Sequence, residues 1–189
     1  ADRGFFRPEW DPRRCGLFLL EPYRRDKIPV VLIHGLWSSP LVWRDLTNEI
    51  WGDDDIAQRF QVWHYLYPTG APILNNARDL RQAFAAAREH FDPDGDDPAF
   101  RDLVLVGHSM GGVIAKTVVQ ASGDALWNTR FARPLPSFQA KLSDEARDYA
   151  QRTFFYEPLP FVSRVVFLGA PHRGSVDADS WIGRFGSWL

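Results

Sequence analysis

Leu103-Val104-Leu105-Val106-Gly107-His108-Ser109-Met110-Gly111-Gly112 is the stretch that decides the fold. Leu103 to Val106 is a short unbroken apolar run, the mark of a strand buried on both faces. It passes without a spacer into Gly-His-Ser-Met-Gly. Val113 to Ala121 beyond it is apolar enough to be a buried helix, stopped by Ser122-Gly123. A chain that turns this sharply from strand to helix brings the residues two before and two after the serine together, where a Cβ would clash. Glycine at 107 and 111 removes the obstacle, and Gly112 lets the helix start close against the sheet. Ser109 at the apex is then held in a strained conformation that lifts its hydroxyl clear of the backbone. The plain alternative is a tight turn with an idle serine, but such strain costs on the order of 1–3 kcal/mol and tends to mark function.

With 14 Gly in 189 residues, a chance Gly-x-Ser-x-Gly has odds of roughly one in twenty, so its context must carry the reading. Working outward, Pro29 to Ile33 (PVVLI) is a second doubly buried strand, followed by His34-Gly35-Leu36 and a Ser-Ser-Pro loop. Leu41 to Trp51 has helical spacing, Phe60 to Tyr67 reads as a strand, and Asn75 to Phe91 is Ala- and Arg-rich with good helix propensity. Val165 to Leu168 (VVFL) is a further strand ending in Gly-Ala-Pro-His-Arg-Gly-Ser, and Gly16 to Pro22 holds a short edge strand. Strands alternating with helices call for an α/β architecture with a mainly parallel sheet and helices on both faces. Ligands then bind beyond the carboxyl ends of the strands, where all three motifs sit.

The chemistry follows from those motifs. Acyl transfer builds negative charge on a carbonyl oxygen, which two preorganised backbone N–H groups must meet. One belongs to the residue after the nucleophile, Met110, at a helix N-terminus where the dipole helps. The other is expected from the earlier loop at Leu36, with Gly35 allowing close approach. Standing alone, His-Gly-Leu reads equally well as a plain strand-end turn. No bottom-up argument makes the residues of the Pro171-His172-Arg173-Gly174 turn catalytic.

Together VVLIHGLWSSP, VLVGHSMGG and VVFLGAPHRGS resemble bacterial lipases of the α/β-hydrolase superfamily, over about residues 28–176. They are also similar to the lipase-related GPI inositol-deacylase group. The resemblance implies the α/β-hydrolase fold, a serine esterase or lipase, Ser109 as nucleophile, and Leu36 and Met110 as the oxyanion hole. It implies carboxylic esters or lipids as substrates, no cofactor and no metal. Residues 1–27 then form an arm with the edge strand, and 28–189 a partial domain. The stretch 124–160 is a cap or a surface excursion, and the Trp-rich 179–189 is the start of a lid.

The fold orders its triad serine, acid, histidine. After Ser109 the chain has one histidine, His172, inside the Pro-His-Arg-Gly turn. His34 and His108 read as structural, His64 lies in a strand and His90 at a helix end. Asp177 and Asp179 follow the strand after which some lipases place the acid, but have no later histidine to orient. The lipase pattern therefore places acid and base beyond residue 189, and the chain reads as a fragment. A non-catalytic binding module of the same fold is the alternative, and an acyltransferase would use the same serine.

Composition bounds the rest. Apolar residues are 45% and charged residues 24%, ordinary for a globular domain. A net charge of −2 gives no reason to expect nucleic acid as partner. Cys15 is the only cysteine, which excludes an internal disulfide and a zinc spacing around it. No apolar run approaches the length of a membrane-spanning helix. A first residue of Ala points to a processed or excised chain, and the lipase resemblance tilts towards the bacterial envelope or exterior. Oligomeric state is not readable. Asp92, Asp94, Asp96 and Asp97 imitate a calcium loop but lack glycine at the sixth position and glutamate at the twelfth, so the stretch reads as a solvated turn. Asp53 to Asp55 reads as a polar loop able to cap a helix.

Overall fold

The three central strands of the sheet form because short apolar runs bury side chains on both of their faces. The computed structural model describes residues 15–131, 134 and 142–173. Its strands are β1 (Gly16–Leu19), β2 (Ile28–Ile33), β3 (Phe60–Leu66), β4 (Leu103–His108) and β5 (Val162–Leu168). They lie in the order β1-β3-β2-β4-β5, with β1 antiparallel to β3 and every other pair parallel. Alternate residues of the central strands feed two separate cores. Val31 and Ile33 of β2, Trp63 and Tyr65 of β3, and Leu103 and Leu105 of β4 face one side. Val30 and Leu32, Val62 and Val106 face the other. This period of two is why the sequence shows continuous apolar runs where a half-exposed strand would alternate.

The helices are α1 (Arg44–Gly52), α2 (Asp54–Arg59), α3 (Ile73–Phe91), α4 (Met110–Val119), α5 (Ala125–Arg130) and α6 (Asp144–Phe154). Ala77, Leu80 and Phe84 of α3 and Ile114, Ala115 and Val118 of α4 pack on the larger core. Trp43 and Ile50 close the opposite face. Several boundaries differ from the sequence expectation. The helix expected from Leu41 begins as a 3-10 turn at Pro40–Trp43, because proline has no N–H to offer a helix interior but suits its first position. Asp53 caps α2 by accepting from the N–H groups of Asp55 and Ile56 at 3.0 and 3.1 Å, so a second short helix replaces the expected polar loop.

The turn at 92–98 is not simply solvated. Asp92 and Asp97 are buried. Asp92 Oδ1 accepts from the Asp97 N–H at 2.8 Å, and Asp97 Oδ1 from the Ala99 N–H at 2.9 Å. The other oxygen of Asp97 accepts from the Tyr23 hydroxyl at 2.6 Å and meets Arg25 Nε at 3.3 Å. Burial, then that carboxylate, pushes the Tyr23 phenol up from its ordinary value. The aspartates thus clamp the segment between β1 and β2 onto the turn before β4. No cluster able to hold a metal ion occurs among the described residues.

The described part of 124–160 packs along α3. Trp127, Ala150, Phe131, Phe154 and Phe155 make their own apolar cluster. Tyr149 donates to Asn75 Oδ1 at 2.6 Å. Arg81 lies 3.8 Å over the Tyr156 ring while donating to Thr117 Oγ1 and to the Arg152 carbonyl. Residues 132–133 and 135–141 of the expected cap lie outside the described residues, as do the expected lid at 179–189 and Asp177 and Asp179. β5 forms one edge of the sheet and leaves Val166, Phe167 and Leu168 exposed. No described helix is long and apolar enough to cross a membrane.

Candidate active site

β2 and β4 are parallel neighbours in register, with Ile33 opposite Gly107. The residues that follow, His34-Gly35-Leu36 from one and His108-Ser109 from the other, therefore emerge side by side. β5 continues the row, with Gly107 opposite Phe167 and His108 opposite Leu168. The Ser109 N–H donates to the Leu168 carbonyl at 2.9 Å, so the serine is anchored to the sheet by its backbone while its side chain is half-buried.

Ser109 has φ 52° and ψ −122° and stands at the N-cap of α4. A left-handed φ brings the Cβ of an L-residue against its own backbone, at a cost on the order of 1–3 kcal/mol. Among the described residues only one other non-glycine has positive φ, Trp37 at 57°. Each adjoins a candidate N–H donor in sequence: Trp37 follows Leu36, and Ser109 precedes Met110. Helix α4 starts at Met110, three residues before the expected start. The elbow leaves no room for a linker, and tertiary contact overrides the poor helix propensity of Gly111-Gly112.

The glycines divide the work differently from a simple pairing of 107 with 111. A Cβ on Gly107 would lie 2.6 Å from Gly112 Cα and 2.7 Å from the Gly111 carbonyl oxygen. A Cβ on Gly111 would instead run into the Ile33 and His34 carbonyls at the end of β2, and one on Gly112 into the Ala170 Cβ beyond β5. Gly35 faces the strand-to-helix turn: a Cβ there would be 3.0 Å from both Ser109 Cβ and His108 Nδ1. The structure thus brings Gly35 against Ser109, with Leu36 next in the loop and Met110 next in the helix.

The loop itself is held from behind. His34 is fully buried and its Nδ1 lies 3.0 Å from the Gly35 carbonyl. Its ring stacks on Tyr67 with centroids 4.3 Å apart, and the Tyr67 hydroxyl donates to the His34 carbonyl at 2.5 Å. Burial pushes the His34 imidazole down to about 4, against a smaller opposing effect of the Gly35 carbonyl, so the ring is neutral at pH 7. Tyr67 is pushed up by its own burial. Sequence reasoning missed Tyr67, which carries no motif and reaches the loop only through the pairing of β3 with β2.

The other histidines make contacts of their own. His64 is buried against Thr47 Oγ1 at 3.3 Å, and burial lowers its pKa. His90 packs on Phe91, His108 is exposed with its ring towards Trp43, and His172 packs on Phe167. Among the described residues no histidine is hydrogen-bonded to Ser109 Oγ.

Residues 30–187 match the model of the alpha/beta hydrolase family. No curated protein matches the chain. Among solved structures, the mature form of the Bacillus licheniformis lipase BlEst2 is similar with a TM-score of 0.51 and 20% identity, over 92% of this chain and 54% of that one. Its propeptide form gives 0.47 and 20% over 91% and 30%. An acetyl xylan esterase gives 0.41 and 19% over 77% and 64%. The chain therefore spans about half the length of the mature lipase, and the likeness is one of fold.

Proposed function

The chain belongs to the alpha/beta hydrolase family, and from that premise we propose that its site hydrolyses carboxylic esters with Ser109 as the nucleophile. The observation that carries the reading is the backbone of Ser109. A non-glycine residue in left-handed conformation, at the first turn of a helix and against a bare glycine of the neighbouring loop, is costly to keep unless its hydroxyl is used.

In the proposed reaction Ser109 Oγ attacks the acyl carbon. The carbonyl π pair moves onto oxygen, where the Leu36 and Met110 N–H groups receive it. The carbon–alkoxide bond then breaks, the alcohol leaves with the proton taken from Ser109, and an acyl-serine remains until water attacks its acyl carbon, the carbon–Oγ bond breaks, the carboxylic acid departs and Ser109 Oγ regains a proton from that water. The base is a histidine oriented by a carboxylate, both supplied from outside the described residues, since no described histidine is hydrogen-bonded to Ser109 Oγ. The chemistry needs no cofactor or metal. Apolar acyl groups are favoured because Trp37, Leu41 and Val42, in the segment after β2, are exposed. Lipids fall within that class.

A fluorophosphonate applied to the natural protein tests the reading. Covalent labelling that disappears in Ser109→Ala supports it, and an unlabelled natural protein overturns it. The absence of a described histidine on Ser109 Oγ favours one rival, a non-catalytic module that binds through the same strand-end surface, and the unlabelled outcome would move that rival ahead. An acyltransferase would label equally. It separates from a hydrolase by partition of the acyl group to an added alcohol rather than to water.

A further inference from the structure

The oxyanion loop has an internal problem. Leu36 offers its N–H from a peptide unit whose other half is the Gly35 carbonyl. Gly35 has no Cβ, so its ψ is nearly free and the covalent chain does not hold that peptide in one orientation. A peptide plane is rigid and trans, however, so its C=O and N–H point in opposite directions. Whatever holds the Gly35 oxygen also aims the Leu36 N–H.

The group that holds it is the His34 ring, with Nδ1 at 3.0 Å. A carbonyl can only accept, so the proton of the neutral ring is on Nδ1. Nε2 is buried and has no hydrogen-bond partner among the described residues. It is therefore a lone pair, because an N–H there would be an unsatisfied buried donor. The ring cannot swing away: it is fully buried, stacked on Tyr67 at an interplanar angle of 9°, and its own carbonyl takes the Tyr67 hydroxyl. Accepting a hydrogen bond also polarises the peptide, which makes its N–H a better donor.

We propose that His34 is a positioning residue for ester hydrolysis: its Nδ1–H, by holding the Gly35 carbonyl, aims the Leu36 N–H at the developing oxyanion. The proposal rests on the reading of Ser109 and Leu36 given above. His34 touches no reacting atom and acts only through the peptide that follows it.

Two variants of the natural protein separate this role from packing. His34→Asn keeps an N–H donor near the position of Nδ1, and His34→Leu keeps bulk without a donor; both lose the stack on Tyr67. With para-nitrophenyl butyrate as substrate, His34→Leu should lower kcat by about 100-fold with KM nearly unchanged, the size of effect for a donor misplaced by about 1 Å and the lower end of that for a donor lost outright. His34→Asn should recover most of that loss while melting at a similar temperature. Equal kcat in the two variants, in a wild type that takes the fluorophosphonate, overturns this proposal alone. A wild type that takes no fluorophosphonate overturns the Ser109 reading and this proposal with it. A measurement that needs no variant completes the test. A long-range proton–nitrogen correlation of the His34 ring in the wild type should show the proton on Nδ1, and a proton on Nε2 would overturn the proposal whatever the activity.

Discussion

Gly111→Ala is the substitution in which stability and activity should part most clearly. A Cβ at this position would lie 2.8 Å from the Ile33 carbonyl carbon and closer still to the carbonyl oxygens of Ile33 and His34. These are backbone atoms, so no side chain can swing aside. Ordinary carbon–oxygen contacts run at about 3.3–3.6 Å, so the end of β2 and the first turn of α4 must separate by about 1 Å. Overpacking of this kind costs about 1–3 kcal/mol, but alanine recovers about 1 kcal/mol of helix propensity at the same residue, so the net loss of stability is about 0–2 kcal/mol. The site is affected far more. The displaced pieces carry Leu36 on one side and Ser109 and Met110 on the other, and a 1 Å misplacement costs about 10²-fold, or about 2.7 kcal/mol of transition-state stabilisation. The assay is the second-order rate of fluorophosphonate labelling beside urea denaturation. Val118→Ala is the control: it truncates a fully buried side chain near the far end of the same helix and should cost about 1–3 kcal/mol of stability while leaving the labelling rate intact. Labelling of Gly111→Ala within about threefold of wild type, or an equal loss in Val118→Ala, would refute the idea that this glycine sets the distance between the two halves of the site.

Two further outcomes follow from strain and from burial. Ser109→Gly should be more stable than Ser109→Ala, because glycine relieves about 1–3 kcal/mol of left-handed strain at a cost of about 0.5–1 kcal/mol in chain entropy. Calorimetry should show a melting temperature higher by a few degrees, at about 2–4 °C per kcal/mol for a chain of this size, and a glycine variant no more stable than the alanine one would refute strain at this residue. The buried His34 imidazole, lowered from 6.5 to about 4, makes stability fall in acid. Its contribution is complete above pH 6.5, where folded and unfolded rings are both neutral. It is lost as pH falls through the window down to 4, because only the unfolded ring takes up the proton. The total is about 3 kcal/mol, and burial of His64 acts in the same direction. Urea denaturation at pH 7.5 and 4.5 should therefore show a smaller acid loss in His34→Asn than in wild type; equal losses would mean that the imidazole does not titrate between those limits.

Much of the frame was legible because it is written in local pattern. PVVLI and LVLV announce doubly buried strands since each side of the sheet carries its own core. The strand–glycine–serine–glycine–helix order announces the elbow because only glycine tolerates the backbone contacts there. What escaped depends on residues distant in sequence. Four aspartates between 92 and 97 look like a solvated turn. Two of them are buried: Asp97 because Tyr23 and Arg25, some 70 residues earlier, supply its partners, and Asp92 because it accepts from the Asp97 N–H and faces Arg88. Tyr67 reaches the His34 carbonyl across the β2–β3 pairing, which aligns Ile33 with Tyr65. The left-handed Trp37 has no sequence signature, since that conformation ordinarily calls for glycine or asparagine.

The same dependence governs the site motif itself. Three glycines meet three different strand ends: Gly35 lies against Ser109 after β4, Gly111 against the carbonyls that close β2, and Gly112 against Ala170 after β5. None of these contacts exists within the hexapeptide Gly107 to Gly112; each requires a neighbouring strand in its observed register, with Ile33 opposite Gly107 and His108 opposite Leu168. A slip of one residue between β2 and β4 would set Val106 or His108 opposite Ile33, carry Gly111 away from the Ile33 and His34 carbonyls that leave it no room for a side chain, and turn the apolar residues of one strand to the wrong core. The glycines are therefore as much a record of sheet register as of local turn geometry. Their spacing gains meaning only with PVVLI before it and VVFL after it, which is why a short pattern with appreciable chance frequency becomes specific when all three strands are read together.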